Sequence, residues 1–166
     1  LTPLSALVNL RELTLQMTQC SPAPLLSLIN LRSLTLWYGI TDEYITLGTL
    51  PCLRKLKICG HFEGDIIPPL RTFENLACLT IEGIYSGLHD LTPLDSLTKL
   101  RELYLRSSEI ADVALLRTLT NLQYLQLRDN PITDISPLSA LEQLKLLDLN
   151  TNQITDIRPL KKLSRL

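Results

Sequence analysis

The sequence has little of what enzymes, metal proteins and nucleic-acid binders use. Only 5% of its 166 residues are aromatic, although 45% are hydrophobic. The apolar content is therefore aliphatic, chiefly leucine, a bias that points to internal repetition rather than to an ordinary mixed core. Charge of either sign is not in excess: 16 Lys and Arg face 17 Asp and Glu, for a net charge of −1. Such a balance supplies no general attraction to nucleic acid or to an anionic membrane. No apolar run approaches the roughly 18 residues that a spanning helix needs, so neither nucleic acid nor membrane insertion is expected. The two histidines, His61 and His89, stand in different segments without an HExxH pattern, and the four cysteines form no CxxC pair at metal spacing. No GxGxxG or GxxxxGK[ST] marks a phosphate-binding loop. No Asn-x-Ser/Thr acceptor is present. Catalytic residues, cofactor and metal are accordingly all expected to be none within this chain.

What is present is a repeat. The pattern LxxLxL occurs at Leu10-Leu13-Leu15, Leu31-Leu34-Leu36, Leu53-Leu56-Ile58 and Leu76-Leu79-Ile81. It continues at Leu100-Leu103-Leu105, Leu122-Leu125-Leu127 and Leu144-Leu147-Leu149. The first leucines are 21, 22, 23, 24, 22 and 22 residues apart. The period-two LxL core predicts a short strand with one buried face. A parallel sheet covered on both sides would read as a continuous apolar run. The alternation here predicts that the other face meets solvent. About 16 residues then bring the chain back to the next strand, and each unit buries its leucines against its neighbours. Pro93, Pro137 and Pro159 share one phase in those return segments and disfavour a long helix there. Short 3-10 turns or extended backbone are expected instead.

The last two units, Asn121 to Glu142 and Gln143 to Ser164, carry LxxLxLxxNxIxDIxPLxxL. This motif resembles the 22-residue class of leucine-rich repeats, found in bacterial internalins and in phosphatase-regulatory repeat proteins. The resemblance implies an α/β repeat fold: a solenoid with a parallel β-sheet on its concave face and 3-10 or extended segments on its convex face. It covers residues 1–166 as a single domain of about seven repeats. Both ends look incomplete, so the chain is expected to be a piece of a longer protein, with Leu160, Leu163 and Leu166 facing no following repeat. The resemblance also implies that Asn130 and Asn152 bond buried backbone as the chain leaves the strand. Thr18, Gly39, His61 and Ser108 take that place earlier and can satisfy fewer groups. The aspartates at 90, 112, 134 and 156 share a phase and are expected to form turns by bonding their own backbone. The N-terminal half should be less regular, with extra residues around Gly60–Asp65 and a bulged loop at Gly83–His89, either drift in a tolerant repeat or a partner contact.

A solenoid of this kind implies protein–protein interaction or ligand sensing through the concave sheet face, with another protein as partner, and not an enzyme. The alternatives are a cell-surface adhesin of internalin type, or the substrate-recognition part of an enzyme whose catalytic part lies outside this chain. Residues flanking the LxL leucines point away from the core, among them Lys55, Lys57, Cys59 and Leu146. The candidate partner-binding set is Trp37, Tyr38, Lys55, Lys57, Tyr104, Arg106, Tyr124 and Arg128, because interfaces favour Trp, Tyr and Arg. Tyr104, Arg106, Tyr124 and Arg128 fall on adjacent strands and should form one patch. The competing explanation is that such side chains only cover neighbouring strands. Cys20 falls in a core phase. Cys59 and Cys78 are offset by about four residues, or about 13 Å along the strands, too far for a disulfide. Four free thiols are expected, which favours a reducing, cytoplasmic compartment over a bacterial cell surface.

Overall fold

The computed structural model describes residues 2–16, 21–37, 42–60, 70–82 and 90–166. Every LxL core becomes a strand: β1 (Glu12–Gln16), β2 (Ser33–Trp37), β3 (Lys55–Cys59), β4 (Cys78–Glu82), β5 (Glu102–Arg106), β6 (Tyr124–Gln126) and β7 (Leu146–Asp148). They form one open parallel sheet in sequence order, each strand beside the next. The register keeps the leucines in phase. Leu13, Leu34, Leu56, Leu79, Leu103, Leu125 and Leu147 make one continuous rung-to-rung row. A slip of one residue would turn each leucine to solvent, so the alternation fixes the pairing. Unit lengths from 21 to 24 residues leave it unchanged, because the differences fall in the return segments.

Those segments form short 3-10 helices at Thr2–Ala6, Ala23–Ser27, Asp42–Thr49, Thr92–Leu94, Ala114–Thr118, Ser136–Ala140 and Arg158–Lys162. Five of the seven have proline in the first turn, where its fixed φ suits the turn and its missing N–H leaves no donor unmet. Four of the seven are prepared by the residue two places before them. The carboxylates of Asp90, Asp112, Asp134 and Asp156 accept from the N–H of Thr92, Ala114, Ser136 and Arg158 at 2.8, 2.7, 2.8 and 2.9 Å. The aspartate row is thus a set of turn formers, as expected. Ser21 holds the same relation to Ala23, more weakly, at 3.4 Å. The closing leucines 28, 119, 141 and 163 return their N–H to Leu25, Leu116, Leu138 and Leu160, which ends the helix and directs the leucine inward.

The core is a single leucine column between sheet and 3-10 helices, with Leu103, Leu116, Leu125 and Leu138 all wholly buried. Burying one such side chain is worth roughly 1.5–3 kcal/mol. Leu163, which closes the last turn, is only 5% exposed. Leu160 is half-buried and Leu166 is exposed. Cys59 corrects the sequence expectation. Alternation places it on the open face, yet it is 2% exposed, a small side chain in register between Trp37 and Glu82.

Asparagines stitch successive units at both strand ends. The Asn130 side-chain oxygen accepts from the N–H of Ser108 and Ile110 at 3.2 and 3.1 Å. Its amide donates to the carbonyls of Leu105 and Leu127, both at 2.9 Å. Asn152 repeats the arrangement one unit on, to Ile132, Leu127 and Leu149. Ser108, in the same phase, makes only one such bond, to the Arg106 carbonyl at 3.0 Å. Before the strands, Asn30 and Asn121 donate to the carbonyls of Val8 and Thr98 at 2.9 Å, a second ladder that the motif reading did not single out. Cys20, Thr18, Gly39, His61 and the expected bulge at Gly83–His89 lie outside the described residues.

Candidate interaction surface

Seven strands with one buried face leave the other face as a broad platform. Its central strands carry the expected patch. Glu102 stands opposite Tyr124, and Tyr104 opposite Gln126, so the two tyrosines are diagonal neighbours. The Tyr104 hydroxyl donates to Glu102 Oε2 at 3.3 Å. Burial, then the adjacent carboxylate of Glu102, pushes the Tyr104 phenol up to about 12, so it stays a donor at any physiological pH. Tyr124 is 36% exposed and leaves its ring open to a partner.

The two arginines are joined by a residue that sequence reasoning missed. Arg106 Nε donates to Asp129 Oδ2 at 3.0 Å, and Arg128 Nε lies 3.4 Å from the same oxygen. Asp129 has a left-handed backbone, φ 59°. Ser107 and Thr151 share this conformation one unit before and after, and Gly60 has φ 119° in the same phase. The chain turns off each of these strands through a residue of this phase, joined after β5 by a second, Glu109, φ 56°. Burial disfavours the Asp129 charge, but the Thr151 hydroxyl, Arg106 and Arg128 outweigh it and hold the carboxyl below its ordinary range. Exposed ion pairs of this kind contribute little to stability, about 0–1 kcal/mol. Their effect is positional: one carboxylate orients two guanidiniums beside two phenols.

The other expected residues lie toward the opposite end. Trp37 is 45% exposed on β2. Lys55 is exposed on β3, and Lys57 is bound to Glu82 at 2.8 Å, the contact that chiefly raises its pKa. Tyr38 lies outside the described residues. The structure therefore brings together Tyr104, Arg106, Tyr124 and Arg128, and leaves Trp37, Lys55 and Lys57 as a separate group two or more strands away. At the last unit a hollow of about 520 Å³ is lined by Gln126, Leu146 and Asp148 and by the core-side Leu147, Leu149 and Ile154. Cys52, Cys59 and Cys78 are free thiols. Burial and Glu102 push the Cys78 thiol up to about 11, which keeps it protonated and unreactive. Among the described residues no group of three His, Cys, Asp or Glu side chains could hold a metal ion, and no helix is long and apolar enough to cross a membrane.

Comparison with known proteins gives the same architecture. The family profile described as Leucine Rich repeats (2 copies) matches residues 120–162, the two most regular units. No match was found among curated proteins. Among solved structures, an internalin (inlF) from Listeria monocytogenes is 27% identical with a TM-score of 0.69, over 100% of this chain and 55% of that one. The chain thus spans about half the length of that relative. Internalin C2 (inlC2) of the same species is 26% identical with a TM-score of 0.69, over 98% of this chain and 81% of that one. The TLR13–ssRNA13 complex, 24% identical over 92% of this chain and 24% of that one with a TM-score of 0.72, is alike in fold alone. Repeat motif, in-phase parallel ladder and these likenesses make the chain a leucine-rich-repeat solenoid, built of units similar to those of internalins.

Proposed function

We propose that the chain is a protein-binding module and that the concave patch of Tyr104, Arg106, Tyr124 and Arg128 is the centre of its binding face. The observation that carries this reading is the pairing of both arginines with Asp129 beside two tyrosines on the open side of the sheet. Rigid aromatic rings and pre-oriented guanidiniums lose little entropy when a partner binds, which is why such residues dominate interface energies. An array held from both strand ends by asparagines presents them on a stiff support. The arginines suit a partner that brings carboxylate or phosphate groups to the tyrosines' edge. Catalysis has no part in this reading. The wider protein's partner and activity follow the same proposal: recognition here, with any chemistry supplied by other domains.

A second reading, a surface adhesin, is favoured by the likeness to two internalins. Labelling intact host cells with an antibody to this chain separates the two settings, because only an adhesin is stained without permeabilisation. The binding face itself is tested by capture from host extract. Tyr104→Ala with Tyr124→Ala should weaken capture about tenfold or more with the fold intact. Loss on charge reversal along the convex side, with no loss for the tyrosine pair, would place the interface elsewhere.

A further inference from the structure

The rim that leads into the strands differs between the two halves of the array. Two places before the first leucine of each unit stand Val8, Ile29 and Pro51 in the first three units, but Glu74, Thr98, Thr120 and Glu142 in the later four. One place after that leucine stand Arg11, Arg32 and Arg54 in the first three, then Ala77, Arg101, Gln123 and Lys145. All six residues of the first three units are exposed, with Val8 at 43% and Ile29 at 53%. They lie on consecutive rungs. The Arg32 N–H donates to the Arg11 carbonyl at 2.8 Å and the Arg54 N–H to the Arg32 carbonyl at 3.0 Å. At about 4.8 Å per rung, the three arginine positions span only about 10 Å. Like charges at this spacing repel one another. Arg11 and Arg32 form no ion pair with another described residue. Arg54 is anchored to the corner, donating to the carbonyls of Pro51 and Leu53 at 2.9 Å. An unneutralised cationic row therefore runs beside an exposed apolar row, and only where the rim is not acidic or polar.

We propose that this rim is a docking ledge for a short acidic segment of a partner protein, its carboxylates on Arg11 and Arg32 and its aliphatic side chains on Val8, Ile29 and Pro51. Charge complementarity identifies the occupant, since guanidinium binds carboxylate through paired hydrogen bonds. Length agrees: four extended residues, three steps of about 3.3 Å, span the same about 10 Å. A membrane surface would need a wider cationic field, and the chain's net charge of −1 does not provide one. The ledge is separate from the patch on β5 and β6 and does not depend on it.

The probe is a fluorescein-labelled peptide of alternating glutamate and leucine, with a glutamine–leucine peptide as control, titrated with the full chain and followed by anisotropy. The glutamate peptide should bind and the glutamine peptide should not. Affinity should fall about tenfold for Arg11→Glu with Arg32→Glu, and also for Val8→Ser with Ile29→Ser. It should fall as salt rises from about 0.1 to about 1 M. Arg101→Glu with Lys145→Glu should leave it unchanged. If charge reversal disturbs the circular dichroism spectrum, the Arg11→Gln, Arg32→Gln pair replaces it. Failure of the glutamate peptide to bind would overturn the proposal. So would binding that survives loss of both arginines, equal loss for the Arg101 and Lys145 pair, or binding of phosphatidylserine vesicles without binding of the peptide.

Discussion

At the scale of single residues, the polar side chains that matter are those that meet backbone. Asn130 makes five hydrogen bonds, all to backbone, of Leu105, Ser108, Ile110, Leu127 and Arg128. Removing it leaves buried donors and acceptors unmet, at about 1–3 kcal/mol apiece in the worst case. Asn130→Ala should therefore lower stability by about 2–4 kcal/mol in urea unfolding, and Asn152→Ala by less, because Asn152 is half-exposed. Equal losses would mean that burial does not set the cost. Tyr104 offers a test through pH. Its raised pKa means that the folded state holds the phenol proton more tightly than the unfolded chain. The stability this supplies is full below pH 10 and is lost as pH rises through about 12. Ultraviolet titration should show one tyrosine ionising near 12, and Glu102→Gln should bring it down. A tyrosine population ionising together near 10 would contradict the Tyr104–Glu102 contact.

At the scale of the element, strands were easier to foresee than what joins them. The LxL alternation is a local signal with one physical solution, so each strand and its register followed from Leu13 to Leu147. The aspartates of IxDI were legible for the same reason, since a carboxylate two residues before a turn has a nearby N–H to accept. Asp129 was not. Its contact with two arginines depends on a left-handed backbone, which leaves no mark in an Arg-Asp-Asn string. Cys59 was misplaced because alternation gives the direction of a side chain but not what lies over it. The turn helices carry one constraint that no motif announces. A Cβ on Gly48 would overlap Thr72 Oγ1 and come within 2.6 Å of the Thr72 carbonyl carbon and 2.7 Å of the Phe73 nitrogen. Backbone, not a flexible side-chain end, would have to move. Gly48→Ala should cost about 1–3 kcal/mol, although alanine is ordinarily the better helix former. A variant as stable as the parent would show that the Asp42–Thr49 turn does not pack against residues 72–73 as described.

At the scale of the whole molecule, the array divides its two sheet faces between two tasks. Leucines on one face hold units together, so local damage spreads to neighbours that have no other core. Side chains on the other face are left free of that duty and are available for recognition. Tyr124 and Leu125 stand next to each other on β6, one on each face. Thermal unfolding of Leu125→Asp and Tyr124→Ala, compared under one condition, tests this division directly. Leu125→Asp buries an unpaired charge and should unfold the central units, losing about 4 kcal/mol or more, while Tyr124→Ala should stay within about 1 kcal/mol of the parent. Losses of similar size from these two adjacent residues would contradict the assignment of the faces, and with it the binding surface.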